Sequence, residues 1–127
     1  MPEETTKPKV LIADDERVIA DTLAAILNQG GFEARAVYSC IKALEVAPDF
    51  KPDLLIFDVI MSELNGIEAA VRIRAILPDI RIFLLSGQTA TAELLERENA
   101  AGFGFEVLTK PLHPSDLIAR LMESMAA

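Results

Sequence analysis

The sequence predicts an α/β fold built on a parallel sheet. Three observations lead there. Five short apolar segments recur along the chain, patterns of helical period lie between them, and three of the five segments lack polar alternation. Regular alternation of strand and helix implies a parallel sheet with helices on both faces. Strands covered on both faces lose the apolar–polar alternation of a half-solvated sheet.

The opening stretch "MPEETTKP" is polar, carries two prolines and reads as a flexible, frayed arm over residues 1–8. The folded domain is expected over 9–127. The first strand is "KVLIA" from Lys9, short and rich in branched residues. Ile19, Leu23, Ile26 and Leu27 then form one apolar helical stripe, closed by Gly30-Gly31. "EARAV" from Glu33 is the second strand, and a short helix from about Ser39 to Val46 fills the gap to "DLLIF" from Asp53. Ile67, Ala70, Val71 and Ile73-Arg74 mark the next helix, which must stop before Pro78 because the residue preceding a proline avoids helical backbone. "RIFLL" from Arg81 is the fourth strand. A weaker helix follows from about Thr89 to Ala101, marked by Leu94-Leu95, and "FEVL" from Phe105 is the fifth strand. Leu117, Ile118, Leu121, Met122 and Met125 mark the last helix, with Pro114 in its first turn. Met122 and Met125 are expected to face the core.

The order is (βα)5, a three-layer sandwich with right-handed crossovers. Five strands in a chain of 127 residues fit the flavodoxin-like sheet order 2-1-3-4-5, with strands 1 and 3 flanking the switch point. One domain of this length buries a proper core, and no internal repeat or linker suggests a second.

Composition excludes several function classes. Half of the residues are hydrophobic (51%), which argues against disorder. Twelve Lys and Arg against 20 Asp and Glu give a net charge of -8, the wrong sign for nonspecific nucleic-acid binding. The single cysteine, Cys40, admits no intrachain disulfide and is read as a packing residue. No apolar run is long enough for a membrane span or a signal-peptide core, so a cytoplasmic protein is the default. No P-loop pattern is present. "GFGFEV" from Gly102 lacks the third glycine of a dinucleotide fingerprint and precedes a strand instead of following one. His113, between Leu112 and Pro114, reads as the residue that leads into the last helix, and Glu93, Glu96, Arg97 and Glu98 as a solvated helix face.

In open α/β sheets the site lies at the carboxyl ends of the strands. Asp14 and Asp15 follow strand 1, Asp58 follows strand 3, Ser86 follows strand 4 and Lys110 follows strand 5. The expected strand order sets these groups side by side. Taken singly each has a plainer explanation: an Asp-Asp pair caps a helix, a lone Asp or a Ser-Gly makes a turn, a lysine is a solvated loop residue. Their placement at four strand ends is what carries weight. Three carboxylates in one hollow repel, each pair by about 3 kcal/mol at ~5 Å and an effective dielectric of ~20. A hard cation with oxygen ligands relieves this, and Mg²⁺ commonly binds through carboxylates plus phosphate oxygens and water. Beside such an ion, Asp58 is placed to attack phosphorus and form an aspartyl phosphate.

With these residues assembled, the sequence resembles the receiver domain of two-component response regulators, of the chemotaxis-regulator type, over nearly the whole chain from Lys9. The shared marks are Asp14-Asp15, Asp58, Met61 three positions on, Gly66 eight positions on, Ser86 followed by a small residue, and Lys110-Pro111. The resemblance implies that Asp58 accepts phosphate from a sensor histidine kinase or a histidine phosphotransfer protein. It implies Mg²⁺ held by Asp15, Asp58 and the backbone carbonyl of Ile60, with Asp14 acting through a bound water. Lys110 is then the phosphoryl contact and Ser86 the residue that signals the change. The chain departs from the family at three places. Ser62 stands where proline usually follows the methionine, and the segment between Ser86 and Lys110 is long. Val107 occupies the usual place of the switch aromatic, with Phe105 two residues away on the same strand face. Ile60 offers no polar group to orient a hydrolytic water, so a long-lived phosphoryl state is expected.

The expected function is a phosphoacceptor switch that acts by binding an output protein, with Mg²⁺-dependent self-phosphorylation and dephosphorylation but no substrate turnover. No output domain follows the last helix, so a stand-alone regulator and a piece of a longer protein both fit, and homodimerisation through the last helices is left open. The alternative is a phosphorylation-independent interaction module. A phosphatase with an aspartate nucleophile fits less well, because such enzymes usually show D-x-D where this chain has adjacent Asp14-Asp15.

Overall fold

The computed structural model describes residues 7–58, 66–86, 106–109 and 113–126. Its five strands are β1 (Lys9–Ala13), β2 (Glu33–Val37), β3 (Leu54–Asp58), β4 (Arg81–Ser86) and β5 (Glu106–Thr109). All neighbours pair in parallel, in the order β2-β1-β3-β4-β5 that the sequence predicts. Helices α1 (Arg17–Gln29), α2 (Cys40–Phe50) and α3 (Gly66–Ile76) connect them, and a C-terminal helix spans Pro114–Ala126. The helix expected over 89–101 lies outside the described residues.

The absence of alternation in the central strands has the expected cause. Val10–Ala13, Leu54–Phe57 and Ile82–Leu85 are all buried. Their side chains divide by the pleat, since successive residues point to opposite faces. Leu11, Ala13, Leu55, Phe57, Ile82 and Leu84 pack under α2 and α3, with Ala43, Ala47, Ala70 and Ile73. Val10, Ile12, Leu54, Ile56, Phe83 and Leu85 pack under α1 and the C-terminal helix, with Ala20, Leu27, Leu117 and Leu121. Edge strand β2 alternates, with exposed Glu33 and Arg35. Each fully buried Leu, Ile or Phe contributes about 1.5–3 kcal/mol relative to exposure.

Local chemistry sets the helix ends. Gly30 donates its N–H to Ile26 and Leu27, and Phe32 donates to Leu27 at 3.0 Å across Gly31, whose φ of +100° only glycine adopts cheaply. Ser39 caps α2 by accepting the Lys42 N–H at 3.0 Å. That helix runs to Phe50, four residues beyond the expected end, because Pro48 sits on its exposed side while Val46 and Ala47 remain buried. Asp53, expected to open strand 3, instead staples its start. Its N–H donates to the Lys9 carbonyl and its Oδ2 accepts the Lys9 N–H. Strand β5 is described over Glu106–Thr109, its expected start at Phe105 lying outside the described residues, and Glu106 pairs with Arg120 of the C-terminal helix.

One core expectation fails. Met122 is 49% exposed, whereas Met125 packs against the core as expected. The inward stripe of the C-terminal helix is Leu117, Ile118, Leu121 and Met125. Met122 lies one residue past Leu121, about 100° round the helix, and is carried off the buried face.

Candidate functional site

The parallel register builds the site. Ala13 pairs with Phe57, so the next positions, Asp14 and Asp58, emerge side by side at the carboxyl edge of the sheet. One carboxylate oxygen each from Asp14, Asp15 and Asp58 lie within 4.8 Å of one another. Asp14 is fully buried, Asp58 half-buried and Asp15 exposed. The trio therefore runs from core to solvent, with its outer member open to a partner.

Asp14 is fixed on two sides. Its N–H donates to the Val37 carbonyl at 3.2 Å, and its Oδ1 accepts the Glu16 N–H at 3.0 Å. The second bond is an Asx-type turn, a favoured conformation for aspartate after a strand. Asp58 ends β3 on the same pleat face as Leu54 and Ile56, the face covered by α1.

Oxygen donors this close cannot share a hollow as bare anions without cost, and three carboxylate oxygens are a donor set for a hard dication. Among the described residues, the donors present thus fit Mg²⁺. Ser86 ends β4, with its backbone in register with Thr109, the residue before Lys110. Its side chain, Ile60 and Lys110 lie outside what the structure describes, as does Phe105. Val107 pairs with Leu84 within the sheet. His113 leads into the C-terminal helix as expected. Its carbonyl accepts from Asp116 and Leu117, and its Nδ1 lies 2.8 Å from the Ser115 hydroxyl.

One group beside the site has no counterpart in the expectations above. The Tyr38 hydroxyl donates to Asp21 Oδ1 at 2.6 Å, and the Arg17 guanidinium lies 4.2 Å from the Tyr38 ring centroid. The hydrogen bond to Asp21 raises the Tyr38 pKa above its ordinary value, aided by partial desolvation and the Asp21 charge and opposed by Arg17. The sequence signal was faint: an aromatic just after strand 2 and an arginine two residues past Asp15, with no fixed spacing to link them.

The structure is thus a flavodoxin-like parallel sheet that carries an acidic, cation-fitting hollow at the ends of β1 and β3. The chain belongs to the response regulator receiver domain family, whose profile matches residues 10–122. It is 35% identical to the DNA-binding transcriptional regulator NtrC of Azospirillum brasilense over 111 residues, 87% of this chain and 22% of NtrC. It is 27% identical to the response regulator MprA of Mycobacterium ulcerans over 113 residues, 89% of this chain and 48% of MprA. The chain thus spans about half of one relative and about a fifth of the other. Among solved structures, chemotaxis protein CheY4 of Vibrio cholerae aligns with a TM-score of 0.83 and 26% identity, over 93% of this chain and 98% of CheY4. A CheY-like receiver domain of Methanospirillum hungatei shares the fold with a TM-score of 0.84 at 21% identity, over 95% of each chain. The chain is therefore a phosphoacceptor receiver domain of two-component signalling. Domains of this family are phosphorylated by histidine kinases, regulate outputs and generally bind Mg²⁺ at an acidic pocket.

Proposed function

We propose that Asp58 is the phosphoacceptor and that Asp14, Asp15, Asp58 and the Ile60 carbonyl hold Mg²⁺. The observation that carries this is the convergence of the three carboxylates within 4.8 Å at the ends of β1 and β3. When bound, Mg²⁺ offsets negative charge on the transferring phosphoryl oxygens. An Asp58 carboxylate oxygen attacks phosphorus as the bond from phosphorus to the donor's imidazole nitrogen breaks. The donor is a sensor histidine kinase or a histidine phosphotransfer protein. Half-burial of Asp58 limits water at the acyl phosphate while exposed Asp15 leaves the approach open. Lys110 meets the phosphoryl oxygens and Ser86 donates a hydrogen bond to one of them.

The receiver unit comprises 9–127, preceded by the polar segment 1–8, and works in the cytoplasm as a switch without substrate turnover. Its output is an altered affinity for a protein partner, not for nucleic acid, consistent with the net charge of -8. Exposed Met122 on the C-terminal helix offers a contact to a second copy, which would make the active form a homodimer.

Incubation with acetyl phosphate and Mg²⁺, followed by intact mass, tests the chemistry. A single phosphoryl adduct is expected, absent in Asp58→Asn and without Mg²⁺. A wild-type chain that takes up no phosphate would favour a phosphorylation-independent module. Because Ile60 cannot orient water, Ile60→Asn is expected to shorten the adduct's lifetime; an unaltered or longer lifetime counts against that role.

A further inference from the structure

The first turn of α1 lacks the usual fastening. Glu16 stands at its N-cap but makes no side-chain capping bond, and no acidic residue lies in the first turn. Other contacts hold this end of the helix. Asp14 ties the end of β1 to the end of β2 through Val37, and accepts the Glu16 N–H. One residue past Val37, Tyr38 returns to α1: its hydroxyl holds Asp21 and its ring lies under Arg17. Arg17 and Asp21 are four apart and share a helix face. The backbone is thus pinned at Asp14 on one side of Asp15, and at Glu16, Arg17 and Asp21 on the other. Asp15 is the exposed link between.

We infer that Arg17, Tyr38 and Asp21 form a clamp that positions Asp15 against Asp14 and Asp58, and so sets the affinity of the pocket for Mg²⁺. This rests on the acidic pocket being a Mg²⁺ site. The clamp residues act through the backbone that carries Asp15. Charge alone makes the opposite prediction. Arg17 is a cation two residues from Asp15, and simple repulsion of a dication means that its removal should tighten Mg²⁺ binding. A positioning role means that its removal weakens binding.

The test is a Mg²⁺ titration of the isotope-labelled full chain without phosphodonor, followed through the amide resonances of Asp14 to Arg17. Urea midpoints in EDTA report the fold of each variant. Arg17→Met and Tyr38→Leu are expected to raise the Mg²⁺ Kd about 10-fold, the lower end for partners that orient a metal ligand. Tyr38→Phe keeps the ring under the guanidinium but loses the bond to Asp21, and is expected to raise the Kd less than Tyr38→Leu does; a Kd unchanged from wild type would remove Asp21 from the clamp. An unchanged or lower Kd in Arg17→Met overturns the clamp and leaves the Mg²⁺ site intact. A wild-type chain whose resonances do not respond to Mg²⁺ overturns both.

Discussion

At the scale of single residues, Tyr38 reports on its own surroundings, because it is the only tyrosine in a chain without tryptophan. Its hydrogen bond to Asp21 holds the phenol protonated, so ultraviolet titration should place the phenolate midpoint above the ordinary 10.0. Asp21→Asn should bring it down. The sign for stability follows: the folded-state pKa is raised, so the contribution is fully present below the unfolded value and is lost as pH rises through the folded one. A midpoint at or below that of a free tyrosine would refute the bond. The acidic residues were legible in sequence because strand order aligns the aspartates that follow neighbouring strands, although each alone has a plainer use. The Tyr38–Arg17–Asp21 group was not. Its contacts join the start of a helix to the turn after another strand, and only the folded register brings those together.

Among the elements, the ends of helices carry the sharpest expectations. At Gly31 a Cβ would meet nothing within 4 Å, so Gly31→Ala should cost only the conformational penalty of positive φ, about 1–2 kcal/mol. Lys51 closes α2 in the left-handed region at φ 52° and ψ 62°, without glycine's freedom. Lys51→Gly should therefore stabilise the protein, by up to about 1 kcal/mol. Urea midpoints at unchanged m-values check both; equal effects at the two positions would contradict the backbone argument. Element type was legible from periodicity, and Gly30-Gly31 named the end of α1 correctly. The end of α2 was not legible, because whether a helix continues through a proline depends on whether that face is packed or wet. The fate of Met122 was hidden for a related reason: Leu121 and Met122 stand about 100° apart on the helix, and the sequence does not say which lies nearer the middle of the buried stripe.

Taken as a whole molecule, the two cores are fastened to one sheet whose central strands are buried throughout. A ligand gripping the ends of β1 and α1 together with β3 therefore stabilises the entire fold. Mg²⁺ at ten times its Kd should add about 1.4 kcal/mol to the unfolding free energy by mass action. Asp15→Asn and Asp58→Asn should each diminish that gain. Denaturant curves with Mg²⁺ or EDTA measure it, and an identical gain in both variants would place the ion elsewhere. The sheet order and the strand-end location of the pocket were legible because alternation of elements admits few topologies. The core-to-solvent gradient across the three carboxylates was not, since it depends on how α1 settles over β1.

The pairing of Ala13 with Phe57 also makes the sheet a ruler with a two-residue graduation. A codon inserted within β3 would turn Asp58 to the opposite side of the pleat, away from Asp14, while leaving hydrophobicity, length and overall topology almost untouched. Such a protein is expected to fold and pass every bulk test of integrity, yet take up no phosphate from acetyl phosphate and Mg²⁺. Deep insertion scanning should accordingly find the interior of this strand intolerant, at positions that no chemical group of the pocket occupies.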